Sequence, residues 1–174
     1  GAEPTTFTVV RIKRDILRRS TVGAIFTNRS RSLIADGSSQ AYGVDGRFAF
    51  YDDFSLAGYF SKTQTPAGSN EDESYQASFD YAGDLYGLSL GQLLVEDDFI
   101  PEVGFIRRDN FRRRSATARF SPRPSIDLIR RFVVSGEFEH IVTADAGVLE
   151  TRGGQILLES EFENSDQLSF FFND

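Results

Sequence analysis

Apolar and polar residues alternate with a period of two over most of this chain. From Tyr42 to Tyr51, Tyr42, Val44, Gly46, Phe48 and Phe50 share one side of an extended backbone, while Gly43, Asp45, Arg47, Ala49 and Tyr51 share the other. After a polar turn at Asp52–Asp53, Leu56, Gly58 and Phe60 alternate with Ala57, Tyr59 and Ser61. Tyr75, Ala77, Phe79 and Tyr81 then oppose Gln76, Ser78 and Asp80. Beyond a tight Gly83–Asp84 turn, Tyr86, Leu88 and Leu90 oppose Gly87, Ser89 and Gly91. Noisier strands follow around Ser115–Phe120, Phe132–Glu139 and Gln155–Glu163, and an earlier one spans Val22–Thr27. Phe7–Ile16 is the weakest expectation, because both its sides mix apolar and basic residues. No helix-period stretch with caps competes. The pattern predicts an all-β chain, an antiparallel up-and-down meander of about nine strands plus a short last one, each near the ~9 to 11 residues of a tilted barrel strand.

The connections carry a second pattern. Brief turns at Asp15–Ser20, Asp52–Asp53, Gly83–Asp84 and Ser165–Asp166 alternate with longer stretches at Thr27–Gln40, Lys62–Glu73, Glu96–Arg112 and His140–Arg152. A membrane-spanning β-barrel sorts its loops in this way, with tight turns on one rim and long loops on the other. Alternation alone suits two architectures. In a soluble β-sandwich the phenylalanines form the core and the charged positions face water. In a transmembrane barrel the sheet is reversed, with charges lining a wet lumen and phenylalanines meeting lipid. The loop sorting and strand length favour the barrel, with Asp45, Arg47, Asp80, Arg113, Arg119, Glu137, Glu139, Glu159, Glu161 and Glu163 facing the lumen.

Composition narrows the field further. No run approaches the ~18 to 20 apolar residues of a helical membrane span. A formal charge of −7 argues against a general nucleic-acid surface. The absence of cysteine removes disulfides, thiolate metal sites and thiol catalysis. With 17 Phe, 6 Tyr and no Trp, any aromatic girdle must be built from Phe and Tyr; Tyr81 and Tyr86 flank one turn where such a belt would sit. Gly1–Thr6 carries no apolar signal run, and the chain opens and stops beside strands, so it reads as an excised piece of a longer protein.

Four segments carry a resemblance: VGAIFTNR at Val22–Arg29, YGVDGRFAFYDDFSLAGYFSKTQTPAG at Tyr42–Gly68, SYQASFDYAGDLYGL at Ser74–Leu88, and VEDDFIPEVGFIRRDNFRRRSATARFSPRP at Val95–Pro124. Together they resemble the C-terminal region of a family of bacterial outer-membrane proteins of uncharacterised function. In that family a domain similar to family 9 carbohydrate-binding modules precedes a β-barrel. The likeness covers roughly Phe7 to Phe172 and is most specific over Val95–Arg108. It implies a bacterial outer-membrane location, outer-membrane lipid as a partner, and a looser link to glycan handling, with a polysaccharide or oligosaccharide as the candidate solute. The carbohydrate-binding-like N-terminal domain is missing from this chain, so its sugar-binding residues have no counterpart here. The family's barrel is also longer, which implies an incomplete barrel with unpaired edges.

The loop Glu96–Arg112 is the strongest candidate site. Acidic Glu96, Asp97, Asp98 and Glu102 precede basic Arg107, Arg108, Arg112, Arg113 and Arg114. Opposed charges across a lumen could select polar or anionic solutes; the plainer alternative is a loop pinned by Arg–carboxylate bridges over Phe99, Phe105 and Phe111. Glu96–Asp97–Asp98 lacks the spacing and glycine of a calcium loop, so no metal and no cofactor is expected. His140, the sole histidine, beside Glu137 and Glu139 raises acid–base chemistry, but no GxSxG or triad supports it, and a rim histidine is the plainer reading. Glu159 and Glu161 share a strand side, unlike a glycosidase pair facing each other across a cleft. Asn28-Arg29-Ser30 matches a glycosylation sequon without meaning in a bacterial protein, Gly153-Gly154 marks a candidate bulge, and Asp36–Ser39 and Ala67–Asn70 read as loop tips. The leading function is thus a porin- or receptor-like outer-membrane module. A soluble carbohydrate-binding sandwich is the alternative, and an envelope glycoside hydrolase is the least supported.

Overall fold

The computed structural model describes residues 4–66 and 72–174. Ten strands follow one another: β1 (Phe7–Ile16), β2 (Ser20–Arg29), β3 (Ser39–Phe50), β4 (Phe54–Gln64), β5 (Glu73–Ala82), β6 (Tyr86–Val95), β7 (Phe111–Phe120), β8 (Ile129–Thr143), β9 (Leu149–Phe162) and β10 (Gln167–Asn173). They form a single sheet in sequence order, every neighbour antiparallel. The expected meander is therefore present. No second sheet faces it among the described residues, so the two-layer sandwich is not the architecture here.

Register explains how the alternation becomes a two-sided sheet, because cross-strand partners project from the same face. The row Phe48–Leu56–Phe79–Leu90–Ala116–Phe138 runs through β3 to β8 on one face. The adjacent row Arg47–Ala57–Ser78–Gly91–Ser115–Glu139 lies on the other. The apolar face is uncovered: Leu56 and Leu90 are each 44% exposed, and Val44, Phe60, Phe138 and Ile156 are also open. Among the described residues only Leu94, Val95 and Phe99 form a buried hydrophobic group, at the base of the loop after β6. A water-soluble domain of this length buries far more.

Aromatic rings gather where the apolar face meets the turns. The Phe54 and Tyr81 centroids lie 4.7 Å apart, and Tyr86 and Phe120 stack at 5.2 Å. Phe48 lies over Gly46, whose Cα would carry a Cβ only 2.9 Å from the ring; the aromatic covers surface that the glycine leaves bare.

The apolar band does not run square to the strands. One row of partners reads Arg14–Val22–Gly46–Gly58–Ala77–Gln92–Arg114–His140–Arg152 from β1 to β9. In β1 the apolar positions, Val10 and Ile12, lie on one side of this row; in β9 Ile156 and Leu158 lie on the opposite side. The band thus slides by about eight residues over eight strand steps. At ~3.4 Å per residue along a strand and ~4.8 Å between strands, that is a slant of roughly 35°.

The rims depart from the expected loop sorting in two places. One rim carries the connections 17–19, 51–53, 83–85, 121–128 and 163–166; the other carries 30–38, 65–72, 96–110 and 144–148. The first three pairs alternate short and long as expected. The stretch His140–Arg152 is mostly strand rather than loop, because β8 and β9 run on to a tight turn at 144–148. The 121–128 connection is longer than its rim mates. Gly153 and Gly154 pair regularly with Glu139 and Phe138, and the register shifts fall instead at Ile129/Arg131 and Ile141/Val142. The Ala67–Asn70 loop tip lies outside the described residues. Leu17 and Tyr51 open their turns with φ of 54°, a left-handed conformation unusual for side chains of that size.

Candidate functional site

The loop 96–110 folds back across the polar side of the sheet, and Thr63 is its hinge point. Thr63 is fully buried; its hydroxyl lies 3.3 Å from the Asp72 carbonyl and 3.4 Å from the Asp98 carbonyl, and accepts the Ile100 N–H at 3.3 Å. Phe99 drops onto the polar face beside Gly43, Tyr59 and Ser61, closing a hollow of about 350 Å³ above Arg11 and Asp45. Gly43 is required there, since a Cβ would approach the Phe60 carbonyl to 2.9 Å and the Ser61 side chain to 3.2 Å.

Beyond Phe99 the loop reaches β2. Glu102, its side chain only 1% exposed, accepts hydrogen bonds from the Ser32 hydroxyl and from the Leu33 N–H at 2.8 Å, and faces Arg29 at 3.6 Å. On the return, Arg108 pairs with Glu150 of β9 and covers the Phe111 ring at 5.0 Å. Glu102 and Arg108 therefore pair with partners outside the loop, and these Arg–carboxylate bridges pin it as the plainer expectation has it. Phe99 packs beneath the loop as expected, whereas Phe105 is 86% exposed. Asp97 and Arg107 are exposed. Arg112 belongs to β7 and projects from the apolar side, its Nε buried without a hydrogen-bond partner.

The set expected above to face the lumen shares one face within the strands, while Glu163 lies beyond β9 in the 163–166 connection. Asp45 pairs with Arg11 at 2.5 Å, Glu139 with Arg113 at 2.6 Å, and Glu161 with Arg130 at 3.0 Å and Arg131 at 3.1 Å. Glu159 meets the Ser169 hydroxyl at 3.4 Å. Arg47 and Glu137 remain exposed, and Asp80 sits opposite Ser55 and Ser89. A hollow of about 520 Å³ opens over β7–β10 between Arg113, Thr117, Glu137, Glu139 and Gln155. Arg119 behaves differently from the rest: it curls to the rim, donating to the Gly83 carbonyl at 2.5 Å and the Asp84 carbonyl at 3.2 Å. Sequence reasoning placed it in the row but missed this pinning role, which the nearby Gly83–Asp84 turn could have suggested. At the same rim Arg123 grips Asp84, holding its carboxyl below the usual carboxylate range.

His140 does not sit at a strand–loop junction with Glu137 and Glu139. It lies inside β8 and stacks on Phe138 at 6.4 Å. Its register partners are Arg114 and Arg152, while both glutamates occupy register positions on the opposite face. Acid–base cooperation between them is ruled out by the pleat. Among the described residues no three acidic or histidine side chains converge as a cation cage. The chain matches no protein-family model, no curated protein and no solved structure.

Proposed function

We propose that this chain is part of a transmembrane β-barrel of the bacterial outer membrane, porin- or receptor-like, with its polar face toward an aqueous interior. The observation that carries the reading is the uncovered apolar band and its slant. A band of exposed apolar side chains over ten strands is far larger than a soluble monomer tolerates. Its slope of roughly 35° falls within the ~35–45° strand tilt of outer-membrane barrels, so the band would lie level when the strands tilt in a bilayer. Phe and Tyr at the turn rim then occupy the headgroup level.

In this reading the loop 96–110 narrows the interior, and the paired charges of the polar face select among polar solutes passively. A polysaccharide or oligosaccharide as the solute rests on the resemblance described above. The chain unfolded in urea and diluted into buffer, detergent micelles or phosphatidylcholine vesicles tests the membrane reading. Circular dichroism should report β-structure and protease resistance only where an amphiphile is present. A monodisperse, folded protein in plain buffer would sink the reading. Binding of neutral and acidic oligosaccharides by the folded protein tests the glycan link separately.

A further inference from the structure

On the loop side of β7–β9, the apolar face ends in a cluster of positive charge. Register sets Arg114 opposite His140 and His140 opposite Arg152, with Arg112 two residues beyond Arg114 on the same side. Arg114 and Arg152 thus flank β8 with Arg112 close by, and three guanidinium groups gathered at one end of an apolar face call for counter-charge. The protein supplies little. Arg114, His140 and Arg152 make no ion pair among the described residues, and the Arg112 Nε is buried without a partner. Glu150 is already held by Arg108, and Glu139 is held by Arg113 on the other face. Asp174, bonded through its backbone to Gly154, and Glu137, on the other face, are the remaining acids that line the adjoining groove.

Directly below the cluster, toward the short turns, the same face is hollowed. Ala116, Ala118, Gly136 and Gly154 leave an apolar groove of about 490 Å³, walled by Leu88, Phe138 and Ile156. Phe172 of β10 and Asp174 line its far side, and a Cβ at Gly136 would meet nothing within 4 Å.

We propose that Arg112, Arg114, His140 and Arg152 form a headgroup site for a phosphate-bearing membrane lipid, whose acyl chain lies in the groove over Ala116, Ala118 and Gly136. A phosphate oxygen cluster matches arginine forks in charge and geometry. The juxtaposition of an unpaired cationic row with an apolar trough fits an amphiphile and no simple anion. The site rests on the membrane reading above and adds a lipid class and an address on the barrel wall.

The test uses the whole chain in phosphatidylcholine vesicles, with and without a minority of phosphatidic acid, followed by native mass spectrometry of the extracted protein. Wild type should retain phosphatidic acid over phosphatidylcholine by about tenfold or more, the size expected of two basic side chains near an anionic headgroup. Arg114→Gln/Arg152→Gln should fold equally well in phosphatidylcholine and lose that preference to within about twofold. Arg18→Gln, on the opposite rim, should keep it. A preference absent from wild type, or retained by the double variant, overturns the lipid site while leaving the barrel reading intact. Full displacement by inorganic phosphate would overturn it in favour of a bare anion site. Failure of wild type to fold in any vesicle removes the barrel reading and the site together.

Discussion

Asn110 does two jobs where the crossing loop re-enters the sheet. Its φ of 50° is left-handed, and its side-chain carbonyl accepts the N–H groups of Ala144 at 3.0 Å and Asp145 at 3.2 Å. Asparagine tolerates that backbone better than most residues, and the two bonds tie the loop exit to the β8–β9 turn. Asn110→Ala should therefore cost about 1–3 kcal/mol in urea unfolding of the micelle-bound protein. Glu102 is the other fixed point. Removing its carboxylate leaves the Ser32 hydroxyl and the Leu33 N–H without their acceptor and Arg29 without its ion-pair partner, so Glu102→Ala should free the loop and raise tryptic cleavage at exposed Arg107 by about tenfold. Unchanged cleavage would mean that Thr63 and Phe99 hold the loop unaided. At the opposite rim, Asp84 is kept ionised by Arg123. Because its folded value is depressed, its contribution is complete above the ordinary carboxylate value of ~4 and vanishes as the pH falls through the lowered one. Arg123→Gln should flatten that acid limb of the stability profile and leave the neutral region's slope unchanged.

Neighbouring residues on one strand separate the two faces most sharply. Leu56 and Ala57 are adjacent in β4, yet Leu56 lies mid-band among Phe48 and Phe79, and Ala57 lies between Arg47 and Ser78. Leu56→Arg should cost about 2–4 kcal/mol of folding stability in bilayers, the penalty for a charge near the midplane, and Ala57→Arg close to nothing. Equal effects at the two positions would remove the lipid-facing assignment, as would a gain in solubility from Leu56→Arg without loss of fold. Much of this was legible in the chain. Period-two alternation assigns each side chain to a face, and the Asp52–Asp53 and Gly83–Asp84 turns mark hairpins by their residue chemistry. What alternation lacks is any measure of offset between strands. The slant of the apolar band is a property of paired strands, so Arg114, His140 and Arg152 could be read as a row only once the register was known. The extension of β8 and β9 past His140 was hidden for a related reason: Arg152 and His140 interrupt the apolar side just where the strands leave the band. The path of the loop 96–110 depends on Thr63 and Glu102 meeting partners 35 and 70 residues away in sequence, which no local pattern encodes.

At the scale of the whole molecule, the slant and the open edges constrain each other. β1 and β10 each have a neighbour on one side only, and exposed edges of this length invite further pairing. β1 carries Arg11, Lys13 and Arg14, while β10 carries Phe170, Phe171 and Phe172, so the two edges differ in character. Two membrane arrangements would satisfy the apolar face. The sheet could lie flat on a bilayer with its phenylalanines downward, or it could stand through the bilayer as a barrel wall. Only the second gives the slant a physical cause, because strands tilted by roughly 35° bring a band sliding one residue per strand parallel to the membrane plane. A sheet lying flat would place every apolar position at the same depth whatever the register, and a square band would serve it equally well. Polarised infrared spectroscopy of the protein in aligned bilayers distinguishes them. The amide signal should give a mean strand tilt of about 35–45° from the membrane normal. Strands lying in the membrane plane would replace the barrel wall with a surface-bound sheet, and the polar face would then meet bulk water rather than a lumen.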